Sequence, residues 1–133
     1  MKISARIENH FNHHEVTVST ENNVKTIAIA SRADGYGSSV NGGELLFLAM
    51  ATCFCNDIYR EAAKRKMQID SVEVWVDGEF GSEGEPAKKV EYRTRVVAPA
   101  HTREEIESLI QYVDNIAEIH NTLRQGISLK LSP

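Results

Sequence analysis

The longest feature in the hydrophobic pattern runs from Leu45 to Cys55, apolar or small at every position but Thr52. It lies within Gly42 to Met67, GGELLFLAMATCFCNDIYREAAKRKM, where a polar face opens only after Asn56, with Asp57, Arg60, Glu61, Lys64, Arg65 and Lys66. Leu, Ala and Met dominate and no β-branched run interrupts, so the stretch reads as a helix that starts inside the protein and ends at its surface. Asn41 or one of the serines before it supplies the N-cap. A helix apolar on every side needs cover on every side. A chain of 133 residues with one other long helix supplies that only in part, which points to a second copy of the chain.

Shorter patterns flank this helix. Ile3 to Ile7, Glu15 to Ser19 and Lys25 to Ala30 alternate or carry β-branched residues and predict a three-stranded meander, with residues 21 to 23 as the second turn. Val72, Val74 and Val76 alternate with Glu73, Trp75 and Asp77, and Val90, Tyr92, Thr94 and Val96 alternate with Glu91, Arg93 and Arg95. These are two strands joined by the hairpin loop GSEGEPA at 81 to 87, the acidic outer face of one able to meet the basic outer face of the other. Thr102 with Glu105 predicts a capping box. Ile106, Leu109, Ile110, Val113, Ile116 and Ala117 then follow helical spacing, which marks a one-sided helix over 102 to 117. Residues 121 to 126 read as a turn, and Ile127, Leu129 and Leu131 as a closing strand. The order βββ, α, ββ, α, β predicts an α+β fold with antiparallel sheet rather than a parallel α/β fold.

Length and charge narrow the picture. The 133 residues make one domain, 1–133, without repeats or linkers. A formal net charge of −4, with no basic cluster beyond Lys64 to Lys66, argues against nucleic acid or an anionic membrane as partner. The N-terminal MKISARIENHF has no apolar signal core, and no apolar run reaches a membrane-spanning length, so the expectation is a soluble, cytoplasmic chain with reduced thiols.

The chemistry-bearing residues are few. Cys53 and Cys55 look like a redox or metal pair, but residues i and i+2 of a helix diverge by about 200° around its axis. They can neither close an unstrained disulfide in an intact helix nor chelate one zinc together. Cys53 shares its face with Leu46, Met50, Asp57 and Arg60, where the apolar part meets the first charges, and is the better candidate for a reactive thiol; the other reading is that both cysteines are small buried hydrophobes. His10, His13 and His14, with His120, are a weaker metal candidate, and no cofactor is expected. The Gly- and Ser-rich loop over 31 to 43 lacks a phosphate-binding signature and reads as the entry to the helix, with Arg32, Asp34 and Tyr36 able to line a site at its mouth.

Asn41-Gly42-Gly43-Glu44-Leu45-Leu46, Thr52-Cys53-Phe54 and the strand from Ser71 to Phe80, SVEVWVDGEF, together with the C-terminal HNTLRQGISLKL, resemble the OsmC/Ohr family of osmotically induced and organic hydroperoxide resistance proteins. The resemblance implies an OsmC-like α+β fold, two antiparallel curved sheets packed around two long helices in an intertwined homodimer. It also implies a thiol peroxidase that reduces organic hydroperoxides in the oxidative stress response. Cys53 matches the family's first, peroxidatic cysteine. The place of its second, resolving cysteine falls near Ala117, and its Pro-Glu helix start falls on Gly42 and Gly43, leaving Glu44 as the nearby carboxylate. The region of its N-terminal arginine is occupied by Asn12-His13-His14.

Two functions follow. In the first, Cys53 reduces a hydroperoxide, Cys55 or an external thiol reductant resolves the sulfenic acid, and Arg60, Arg6 or Arg32 assists the thiol while Asp57 opposes it. In the second, the fold persists without the chemistry and holds a small apolar or thiol-bearing ligand at the dimer interface.

Overall fold

Alternating β-branched and polar residues at the N-terminus build a three-stranded antiparallel sheet, β1 (Ile3–His10), β2 (His13–Thr20) and β3 (Asn23–Ile27), in the order β1-β2-β3. The structure is a computed structural model describing residues 1–133, and it divides into two units, Met1–Leu45 and Leu46–Pro133. In the first unit the three-stranded meander forms as expected, but β1 and β2 reach further than the sequence suggests, and β3 lies earlier than the expected Lys25 to Ala30, starting at Asn23 within the expected turn and ending at Ile27. Asn12 adopts φ 57°, so Phe11 and Asn12 alone form the turn, and His10 pairs with His13 and Asn9 with His14. An asparagine tolerates that left-handed conformation, which is what lets a two-residue hairpin close. The loop after β3 folds back on this hairpin. The Asn12 amide donates to the Gly35 carbonyl at 2.7 Å, and the Phe11 and Tyr36 rings lie 5.4 Å apart.

The long helix α1 (Gly42–Lys64) begins with a reciprocal cap: the Glu44 amide donates to Asn41 Oδ1 at 2.8 Å and the Asn41 amide to Glu44 Oε1 at 3.0 Å. It ends as Lys66 turns to φ 56° and the Met67 amide reaches back to the Ala62 carbonyl at 2.8 Å, an acceptor it shares with the Arg65 amide at 3.1 Å.

The second unit packs α1 from Leu46 onward with a two-stranded antiparallel sheet, β4 (Ser71–Phe80) and β5 (Ala87–Val97), and with α2 (Arg103–Ile116). Phe54, Ile58 and Ala62 of α1 meet Leu109, Val113 and Ala117 in the core, flanked by Val72 and Val74 of β4 and Tyr92 and Val96 of β5. The expected capping box is present, the Glu105 amide donating to Thr102 Oγ1 at 3.1 Å. On the outer sheet face Arg93 lies over the Trp75 ring and 3.4 Å from Asp77, the charge meeting that the alternation anticipates.

Two C-terminal expectations are corrected. Residues 121 to 126 are not a simple turn: 121 to 125 belong to a third helix, α3 (Glu118–Gln125), which starts after a break at Ala117 (ψ 112°) and is capped by Gly126 (φ 72°). Eight residues with Asn and Thr among them carry too little helical periodicity to stand out in a sequence. The closing strand does not form. Ile127, Leu129 and Leu131 have the alternation of one, but they have no paired neighbour, and Leu129 and Leu131 are 90% and 100% exposed.

Replacing Leu109, which is fully buried, by alanine is expected to cost about 2–5 kcal/mol in denaturant unfolding. Arg103→Ala, which removes only the exposed pair with Glu107, should cost under about 0.5 kcal/mol.

Candidate functional site

The core seam of α1 fixes where its chemistry lies. With Phe54 and Ile58 buried, Cys53 falls at the margin of the seam, half-buried, and Asp57 one turn later is carried under cover with it. From the other side, the buried Ala117 ends α2 and starts α3, so Glu118 opens α3, where a carboxylate suits the positive end of the helix. Cys53 Sγ lies 3.8 Å from Asp57 Oδ2 and 3.8 Å from Glu118 Oε2. Arg60 ties the carboxylates together: its Nη1 is 3.1 Å from Asp57 and 3.9 Å from Glu118, and its Nε is 2.9 Å from Glu61, which Lys64 also contacts at 2.9 Å.

Burial pushes the Cys53 thiol above its ordinary range; hydrogen bonding from the Ile119 backbone opposes this, and the Asp57 and Glu118 carboxylates add to it. Asp57 is also raised, by burial and then by Glu118, against the pull of Arg60. The thiol is therefore protonated at neutral pH, with carboxylate oxygens placed to accept its proton. Cys53, Asp57 and Glu118 also present three atoms within 4.8 Å of one another, a spacing a cation could use, but Arg60 already serves those carboxylates.

The other candidate residues lie apart from this cluster. Cys55 lines an open depression with Ala51, Thr52, Asn56 and Val74, and both cysteines are free thiols. The Glu44 carboxylate is engaged at the start of α1. In the first unit, Arg6 pairs with Glu8 and Glu15, and Arg32 donates to the Tyr36 carbonyl at 2.8 Å. There the His10 and His13 rings stack at 4.4 Å, while His120 belongs to the second unit. The residue that sequence reasoning missed is Glu118. Its one signal was its place directly after Ala117, at the position matching the family's second cysteine.

The second unit also contains a cavity of about 560 Å³. Phe47, Met50, Val90 and Leu123 form much of its apolar wall, with Tyr92, His120 and Arg124 as polar neighbours. Tyr92 donates a hydrogen bond to Asp114, and Arg124 Nη2 donates to the same carboxylate at 2.6 Å. Gly78 of β4 approaches this wall so closely that a Cβ there would stand 2.7 Å from Phe47 Cζ and 3.1 Å from Val90 Cγ2.

A family model described as OsmC-like protein matches residues 35–132. Among curated proteins none matches the chain in sequence. Solved structures share its fold. An OsmC-like protein from Mycoplasma pneumoniae is 18% identical with a TM-score of 0.63, over 91% of this chain and 87% of the other. An organic hydroperoxide resistance protein OsmC from Legionella pneumophila is 18% identical with a TM-score of 0.59, over 93% and 90%. An organic hydroperoxide resistance protein from Elizabethkingia anophelis is 18% identical with a TM-score of 0.61, over 93% and 89%. No helix here is long and apolar enough to cross a membrane.

Removing one negative charge beside the thiol should lower its pKa. Glu118→Gln is expected to speed iodoacetamide alkylation of Cys53 at pH 7 by about threefold, equivalent to about half a pKa unit, with Cys53 and Cys55 resolved by peptide mass spectrometry.

Proposed function

The chain belongs to the OsmC-like protein family, and on that premise we propose that it is a thiol-dependent peroxidase reducing organic hydroperoxides through Cys53, in the oxidative stress response of the cytoplasm. The observation that carries the reading is the half-buried Cys53, its sulfur 3.8 Å from both Asp57 and Glu118, with Arg60 joined to both carboxylates. Two relatives of the same fold are named organic hydroperoxide resistance proteins.

In this reading a carboxylate of the Asp57–Glu118 pair takes the thiol proton. The thiolate attacks the outer peroxide oxygen, the O–O bond breaks, and the departing alkoxide leaves as the alcohol on receiving that proton. Cys53 is then a sulfenic acid. One external thiol converts it to a mixed disulfide with loss of water, and a second restores the Cys53 thiol and leaves as a disulfide. With alanine at position 117 an external reductant is needed, unless α1 unwinds locally and brings Cys55 to Cys53. Glu118, and not Glu44, is the glutamate beside the thiol in this reading, the Glu44 carboxylate being held by the Asn41 amide at the start of α1.

Two copies complete the protein in this proposal. Leu48 on α1 and the tail residues Ile127, Leu129 and Leu131 are exposed apolar side chains that a partner would cover. The raised thiol pKa favours a second reading, a catalytically degenerate member that binds a small apolar or thiol-bearing ligand where two copies meet.

Stopped-flow consumption of cumene hydroperoxide with excess dithiothreitol separates the two. Cys53→Ser should abolish turnover, Cys55→Ser should retain it, and the wild-type rate should climb as pH rises past neutrality, because the reactive thiolate forms only toward a raised thiol pKa. An undiminished rate in Cys53→Ser would exclude the peroxidase. Light scattering on the eluting protein should give twice the 14.9 kDa chain mass; a monomer mass would remove the dimer.

A further inference from the structure

His120 is 2% exposed, and neither ring nitrogen has a hydrogen-bond partner. Its ring is held by aromatic contacts alone, 4.5 Å from Tyr92 and 5.6 Å from Phe54 between centroids. A polar group buried without a partner is costly and uncommon, and is retained where a ligand or a water completes it. His120 borders the cavity of about 560 Å³ walled by Phe47, Met50, Val90 and Leu123, a size that suits a small molecule. Cys53 does not line this cavity, so the site is distinct from the thiol cluster.

The remaining polar neighbours define the ligand. Arg124 and Tyr92 both direct their hydrogen bonds to Asp114, and Arg124 Nη1 is further used on the Asp114 carbonyl and on Asn121. The guanidinium charge is thereby matched, and a second anion would have to compete with Asp114 for it. Burial, and then the nearby Arg124 cation, hold the His120 ring below its ordinary pKa, so it is a neutral imidazole. Such a ring offers one donor and one acceptor. An apolar wall with one unsatisfied neutral imidazole calls for an uncharged molecule whose head group can pair with one of its nitrogens, as donor or as acceptor.

We propose that the cavity bordered by α1, β5 and α3 binds a small uncharged molecule with an apolar body and a single hydroxyl group, the His120 ring, whose nitrogens are buried, turning to hydrogen-bond the hydroxyl through one of them. The apolar body lies against Phe47, Met50 and Leu123. The site operates whether or not Cys53 is a peroxidatic thiol.

Titration with 1-octanol, followed by the side-chain nitrogen resonances of His120 and by backbone amide shifts, tests this. Saturable binding is expected, with the His120 ring signals moving along the same isotherm. His120→Phe keeps the ring volume but removes the nitrogens, and should weaken binding about tenfold, the usual scale for one lost hydrogen bond. Leu123→Trp takes up part of the cavity and should weaken binding. Octanoate should bind at least about tenfold more weakly than the alcohol, its charge being unmatched in the site. Cys53→Ser should bind like wild type, so the outcome is read independently of the peroxidase assay. The proposal is overturned if 1-octanol shows no saturable binding, if it binds without moving the His120 signals, or if octanoate binds as well. Because the His120 signals are read in the wild-type protein, a variant that fails to fold does not remove the test.

Discussion

The organisation of the second unit depends on one packed seam, in which Phe54, Ile58 and Ala62 of α1 interlock with Leu109, Val113 and Ala117. Burying a large apolar side chain contributes about 1.5–3 kcal/mol, and these residues have almost no exposure left. Helical spacing then decides everything next to them. Once Phe54 and Ile58 face inward, Asp57 has to be buried and Cys53 has to stand at the border, whatever the chemical cost. Asp57 finds its compensation in Arg60. The raised thiol pKa of Cys53 is thus a by-product of packing as much as a property of the cysteine.

The eight-residue helix α3 connects the two sites of this unit. Its first residue, Glu118, reaches the Cys53 sulfur, while His120, Leu123 and Arg124 face the cavity. Both depend on the break at Ala117, where a longer side chain would have no room in a fully buried position. The acidic cluster and the apolar-walled cavity are therefore set by one short segment, and a shift of α3 would alter both.

Most of this architecture could be read from the chain, because long periodic segments announce themselves. The α1 run, the Ile106–Ala117 stripe and the Val72–Val76 alternation each repeat often enough to fix an element. The capping box at Thr102 did the same for a boundary. What escaped was short or depended on a single backbone torsion. The Phe11-Asn12 turn rests on one positive φ, and α3 on an interruption of the helix at Ala117 that no composition marks. The tail illustrates the converse, since Ile127, Leu129 and Leu131 have a strand's alternation without a neighbour to pair with. The site was half legible: Cys53, Asp57 and Arg60 share a helical face and could be grouped from spacing, whereas Glu118 comes from 65 residues away.

Gly78 bears on how that cavity can change over time. Phe47 and Val90 lean into the space its missing side chain leaves, so even a methyl group at position 78 would press against the Phe47 ring and the Val90 branch, both of which line the cavity. The dimensions of an interior chamber are in this way governed from a strand residue that lies outside it. Evolutionary drift at that glycine would retune which molecules fit long before it touched any polar group that recognises them.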